Sequence, residues 1–190
     1  MTVCLALLVG DEGAVLAHDG RFTWGSNIIT DSSDKHAVSR NVVSVVAGND
    51  GSLLEAISKA GSLPALRQTA VAYSANLDLD WALLSYDRKL HKLCILDQND
   101  VSADVGKFYA IGCGKSFAAG FVAAHQHPST LEDAARLSAA AVKATALYDT
   151  AVGGDTTVII APRHGKIRIL VEPSVPPPKP SAEKRPRRKT

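Results

Sequence analysis

The chain has 190 residues, 46% of them apolar and 21% charged, with a formal net charge of +2. That length holds one domain with a substantial core and is too short for two comfortable ones, and the composition is that of an ordinary soluble globular protein. No run reaches about 18 uncharged apolar residues, which excludes a membrane-spanning helix, and the start lacks the basic region and cleavage site of a secretory signal.

The small net charge conceals an asymmetry. Ser174–Thr190 carries six basic side chains against the single acid Glu183, so this tail holds +5 and residues 1–173 sum to −3. Three cysteines, Cys4, Cys94 and Cys113, form an odd set without metal-ligand spacing, which points to a reducing, cytoplasmic setting.

Taken in chain order, 2–9 and 13–19 are apolar β-prone runs joined by Gly10-Asp11-Glu12-Gly13, the pattern of a hairpin. A short segment at 22–24 and a loop lead to strands at 34–39 and 41–47. Ala47-Gly48-Asn49-Asp50-Gly51 makes a sharp strand-to-helix turn. Ser52 to Glu55 is a capping-box pattern opening a helix that Gly61 can close, and a second helix is predicted over 63–74. Residues 81–86 and 90–96 read as a further hairpin. A short strand at 108–111 turns through Gly112-Cys113-Gly114 into a helix ending near Ala124. Ser129 to Glu132 is a second capping box, opening a long Ala-rich helix to Tyr148. Its buried stripe is predicted to be Leu131, Ala134, Ser138, Ala141, Val142 and Thr145. Residues 156–161 and 166–171 form a last hairpin. Segregated blocks of strands and helices point to α+β layers rather than a wound parallel sheet. The Pro- and Lys/Arg-rich tail over 174–190 has almost nothing to bury and is expected to be disordered.

Candidate chemistry concentrates at the start of the chain. Removal of Met1 would place a hydroxyl and a free α-amine together on Thr2. An α-amine has a reference pKa of roughly 7.7–8.0, so much of it is a neutral base near physiological pH. Such an amine is one recognised activator of a threonine hydroxyl. Asp19-Gly20, Thr23, Gly25 and Lys35 follow, the lysine sixteen residues after the aspartate.

This ordered set resembles the threonine peptidases of the proteasome β-subunit class, most closely the bacterial HslV type. Ala47-Gly48 resembles the turn that supplies that family's oxyanion-hole amide. Ala110-Ile111-Gly112-Cys113-Gly114 resembles its Ile-Gly-Ser-Gly segment. Asp149, with Gly153-Gly154, resembles its Asp-x-x-Ser-Gly-Gly segment. The resemblance covers roughly residues 2–171 and departs at Cys113 and Val152, where the family has serines around its N-terminal amine. A thiol is a weaker donor than a hydroxyl, and valine donates nothing.

The resemblance implies a four-layer αββα sandwich of the N-terminal-nucleophile hydrolase type over 1–173. It implies a threonine endopeptidase cutting unfolded polypeptides inside a homo-oligomeric double ring, fed by an ATP-dependent unfoldase, with no cofactor or metal. Thr2 is then the nucleophile, Lys35 a buried cation beside its oxygen, and Asp19 the partner of Lys35. Gly48 N–H becomes the oxyanion donor, and Cys113 and Asp149 belong to the surroundings of the amine. Phe22–Trp24 and Val45–Val46 would flank an apolar substrate groove. Two other classes compete: a catalytically silent ring or scaffold protein, and an N-terminal-nucleophile amidohydrolase acting on small amides.

Other motifs carry less. Gly114-Lys115-Ser116 follows a strand, but a phosphate loop needs a glycine where Tyr109 stands. The six histidines contain no H-E-x-x-H pattern. Cys113, taken alone, reads as a small buried residue. The basic tail lacks interleaved aromatics, so any contact with nucleic acid would be weak, electrostatic and salt-sensitive.

Overall fold

A computed structural model describes residues 2–24, 27–48, 52–74, 81–97 and 102–174. Gly25, the turn residues 49–51 and the tail beyond Ser174 lie outside these residues, and so do the readings that fell on them. The elements run β1 (Val3–Val9), β2 (Gly13–Asp19), β3 (Phe22–Trp24), β4 (Asn27–Thr30), β5 (His36–Val38), β6 (Val42–Gly48), α1 (Ser52–Ser58), α2 (Leu63–Ser74), β7 (Trp81–Asp87), β8 (Lys92–Asp97), β9 (Ser102–Asp104), β10 (Phe108–Gly112), α3 (Lys115–Ala123), α4 (Leu131–Tyr148), β11 (Thr156–Pro162) and β12 (Arg168–Glu172). Helices and sheets are segregated as an α+β chain.

One five-stranded sheet has the order β10-β1-β2-β11-β12, a second has β5-β6-β7-β8-β9, and β3 pairs with β4 alone. Every ladder described is antiparallel. Side chains alternate between faces along a strand. Val3, Leu5, Leu7, Val15, Ala17, Val158 and Ile160 of the first sheet pack with Ala134, Ala141 and Val142 of α4. Cys4, Ala6, Leu16 and Ile159 turn the other way and meet Val43, Val45, Leu84 and Tyr86 of the second sheet. The far face of that second sheet, through Val42, Val46 and Leu83, packs on Leu53, Ile57, Leu66 and Ala70 of α1 and α2. With both of their faces covered, β1, β2, β6 and β11 read as continuous apolar runs and do not alternate with polar residues.

The stripe predicted on α4 is buried at all six positions. Its cap is corrected by one residue. Thr130, not Ser129, is the N-cap; its Oγ1 accepts from the Asp133 N–H at 3.1 Å and donates to Asp133 Oδ2 at 2.7 Å. Two acids, Glu132 and Asp133, then sit in the first turn, where the exposed N–H groups favour negative charge. Strands β4 and β9 are additions to the elements read from sequence.

Candidate active site

Antiparallel pairing brings the starts of some strands beside the ends of others, and the candidate residues meet at one such edge. Thr2 precedes β1. It lies one residue beyond the Val3↔Gly112 pair with β10 and two beyond the Cys4↔His18 pair with β2. Asp19 ends β2, Lys35 immediately precedes β5, and Gly48 ends β6. The Val46 N–H donates to the Lys35 carbonyl at 2.9 Å, which fixes the lysine against the second sheet.

Thr2, Asp19 and Lys35 are all buried. Lys35 Nζ donates to Asp19 Oδ1 at 2.7 Å, to the Arg21 carbonyl at 2.7 Å and to Thr2 Oγ1. Those three acceptors match the three protons of an ammonium group. Thr2 Oγ1 donates to Asp19 Oδ1. Asp19 also receives backbone donors on both oxygens: the Val3 N–H at 3.0 Å and the Gly153 N–H at 3.1 Å. The hydroxyl is thus held between a cation and an anion that neutralise each other. Removing one member of such a buried pair typically costs about 3–5 kcal/mol, because the other charge is left uncompensated.

The backbone around Thr2 is tight. Gly112 has φ +91, and a Cβ there would lie 2.9 Å from the Thr2 carbonyl carbon. A Cβ on Gly114 would lie 3.0 Å from Val3 Cβ. Both glycines are therefore required by the close passage of the β10–α3 turn over the start of β1.

Cys113 sits on this turn and is exposed, which corrects its reading as a small buried residue: the left-handed Gly112 turns the chain outward. Its Sγ donates to the Thr2 carbonyl at 3.3 Å, and the Gly114 N–H reaches the same oxygen at 3.4 Å. Partial burial raises the thiol pKa first, and a hydrogen bond with Asp149 raises it further, so the thiol stays a protonated donor. Asp149 is the C-cap of α4, and its Oδ1 accepts from the Ala151 N–H at 2.9 Å. It thus approaches Thr2 through Cys113. Val152 is fully buried in the core between α4 and the first sheet.

Gly48 is exposed and lines a groove of about 240 Å³ that also contains Lys35. Phe22, Val46 and Leu54 form its apolar part, and Thr30, Ser33 and Asp34 its polar part. Val45 does not reach it; its side chain is buried between the two sheets.

Sequence reasoning missed Arg21. Its Nε donates to Asp31 Oδ1 at 2.8 Å and its Nη1 to the Thr150 carbonyl at 2.9 Å, while its own N–H donates to the Gly153 carbonyl at 2.8 Å. The Asp31 hydrogen bond, ahead of all other causes, raises the guanidinium pKa. Arg21 thereby fastens the 150–153 loop that delivers the Gly153 N–H to Asp19. Its sequence signal was a lone basic residue two positions after Asp19.

A second omission is the histidine pair behind the site. His18 Nδ1 lies 3.0 Å from the Asp19 carbonyl, which can only accept, so Nδ1 carries the proton. His18 Nε2 then accepts from His36 Nδ1 at 3.0 Å. Burial depresses His18 to about 3 and also lowers His36, against the opposing charge of Asp34. Cys4, alongside, is pushed up to about 12 by burial and is chemically quiet.

Neither a protein-family model nor a curated protein matches the chain.

Proposed function

We propose that the chain is a threonine endopeptidase subunit of the N-terminal-nucleophile class, with Thr2 as nucleophile once the peptide bond in front of it has been cut. The observation that carries this reading is the buried contact of Thr2 Oγ1 with both Lys35 Nζ and Asp19 Oδ1, drawn from three separate segments. A surface threonine has no reason to sit between a buried cation and a buried anion. In our reading the packed layers are the four-layer αββα sandwich of that class.

In the proposed mechanism the freed α-amine, directly or through a water, takes the hydroxyl proton as Thr2 Oγ attacks a peptide carbonyl. Lys35 stabilises the oxygen as it loses that proton, and Asp19 holds Lys35 in place. The carbonyl becomes a tetrahedral oxyanion facing the Gly48 N–H, a type of donor whose loss typically raises the barrier by about 2.7–4 kcal/mol. Collapse expels the amine half of the substrate, which takes the proton from the Thr2 amine. Water then hydrolyses the acyl-threonine ester and restores Thr2. Cys113 and Asp149 steady the Thr2 main chain.

The groove beside Lys35 and Gly48 mixes apolar with polar walls, which supports a polypeptide substrate. We place the active form in a homo-oligomeric double ring served by an ATP-dependent unfoldase. The three free thiols support a reducing, cytoplasmic setting. Among the described residues no helix is long and apolar enough to cross a membrane.

A second reading is favoured by one observation. Val152 points into the core where the family places a serine, so the amine has fewer donors around it, as a silent ring or scaffold subunit would allow. Labelling with a threonine-directed β-lactone separates the two. The peptidase acquires one adduct on Thr2, whereas an unlabelled protein carrying a free Thr2 amine would be the scaffold. Cleavage of small amides with casein-like chains left intact would instead favour the amidohydrolase.

A further inference from the structure

β12 is the outermost strand of its sheet, with β11 on one side and no strand on the other among the described residues. Three consecutive large apolar side chains on it are exposed: Ile169 at 46%, Leu170 at 44% and Val171 at 56%. They point to both faces. Leu170 lies opposite Val158, which faces α4, while Ile169 lies opposite Ile159, which faces the second sheet. Among the described residues the second sheet meets β1, β2 and β10, and α4 crosses β1, β2 and β11 and reaches β12 through the ion pairs Glu132–Arg168 and Lys143–Glu172, which leaves these three apolar side chains exposed. An open edge with apolar residues on both faces is normally blunted by charge, proline or a covering element. Here it needs an occupant that both adds a ladder and buries side chains.

The chain's own tail is a poor occupant. Four of the six residues 175–180 are prolines, which have no N–H for a ladder. A second copy of β12 fits. We infer that two chains pair β12 to β12 in antiparallel fashion about a two-fold axis at Leu170, joining two sheets into one of ten strands.

Such an axis, normal to the sheet, keeps helix-facing side chains with helix-facing ones. Centred on Leu170, it sets Ile169 opposite the second copy's Val171 and Leu170 opposite its own counterpart. Arg168 then lies opposite the second copy's Glu172, and Glu172 opposite its Arg168. Within one chain Arg168 already bonds Glu132 Oε1 at 2.5 Å and Glu172 pairs with Lys143. Pairing would therefore build two rows of alternating charge, Glu132, Arg168, Glu172 and Lys143, each crossing the junction once. Moving the axis to Ile169 or Val171 places a charge opposite Leu170, so complementarity selects one register.

The test uses the full-length protein and does not depend on the catalytic reading; Thr2→Ala should pair as the unmodified chain does. Sedimentation and hydrogen exchange read the result. Leu170→Lys sets two ammonium groups face to face. It should halve the particle mass and expose the amides of 168–172, with the far-UV spectrum unchanged. Arg168→Glu and Glu172→Arg should each weaken association about tenfold. Mixing those two variants, whose edges are then opposite in charge, should restore it. Retained mass and protection in Leu170→Lys would overturn the proposal, as would a mixture that fails to associate. Protection of 168–172 that disappears only when 175–190 is deleted would assign the tail as the cover and overturn it equally.

Discussion

At the scale of single residues, the site rests on a buried exchange of hydrogen bonds among Thr2, Asp19 and Lys35. Lys35→Ala removes the only cation that touches the hydroxyl among the described residues and strands Asp19. We expect turnover to fall by at least about a thousandfold and stability by about 3–5 kcal/mol. Peptide-hydrolysis kinetics with urea unfolding on the same sample would check both, and a fully active variant would remove Lys35 from the chemistry. Cys113→Ser replaces a weak donor to the Thr2 carbonyl with a strong one, so the rate should rise several-fold with little change in KM. A lower rate would mean that the thiol has a role of its own. Thr2, Asp19 and Lys35 were legible in the sequence because their types and order are distinctive. The Gly153 N–H on Asp19 was not, since a backbone amide leaves no letter at the position where it acts. Arg21 was equally silent, because only folding shows that its guanidinium spans to the Thr150 carbonyl.

Among elements, the strands with both faces buried were the easiest to read. Leu5, Leu16, Val45 and Ile159 belong to unbroken apolar runs that nothing else in the chain imitates. β4 escaped because its Ile28 and Ile29 are exposed and, among the described residues, the strand pairs only with the short β3. β9 escaped because three residues at a sheet edge carry no periodic signal. The α4 cap slipped by one residue because Ser129 and Thr130 are both good caps, and Asp133 decided between them. Thr130→Ala should cost about 1 kcal/mol, measurable as a lower urea midpoint, whereas Ser129→Ala should be nearly neutral. Burial of His18, which links β2 to His36 of β5, makes stability depend on pH. His18 titrates near 6.5 when unfolded and near 3 when folded, so between those values the unfolded chain binds more protons. Stability should therefore be full above about pH 6.5 and fall as pH drops, by up to about 1.4 kcal/mol per pH unit from this group. His18→Gln should flatten that slope in urea titrations at pH 7.5 and pH 5, and an unchanged slope would place the acid sensitivity elsewhere.

For the whole molecule, the packed strands bring Thr2, Asp19 and Lys35 together at one edge and leave the outer strand β12 exposed. Thr2→Ala should fold and assemble normally yet lose hydrolysis, which separates scaffold from chemistry within one variant. The central claim is that a freed Thr2 supplies both hydroxyl and amine. An epoxyketone peptide tests it directly, because its stable ring with threonine needs both groups, and intact mass with peptide mapping locates the adduct. We expect one adduct on the N-terminal Thr2 peptide, absent from Thr2→Ala and strongly reduced in Lys35→Ala. Peptide hydrolysis by protein that still carries Met1, or an adduct mapping away from Thr2, would contradict it.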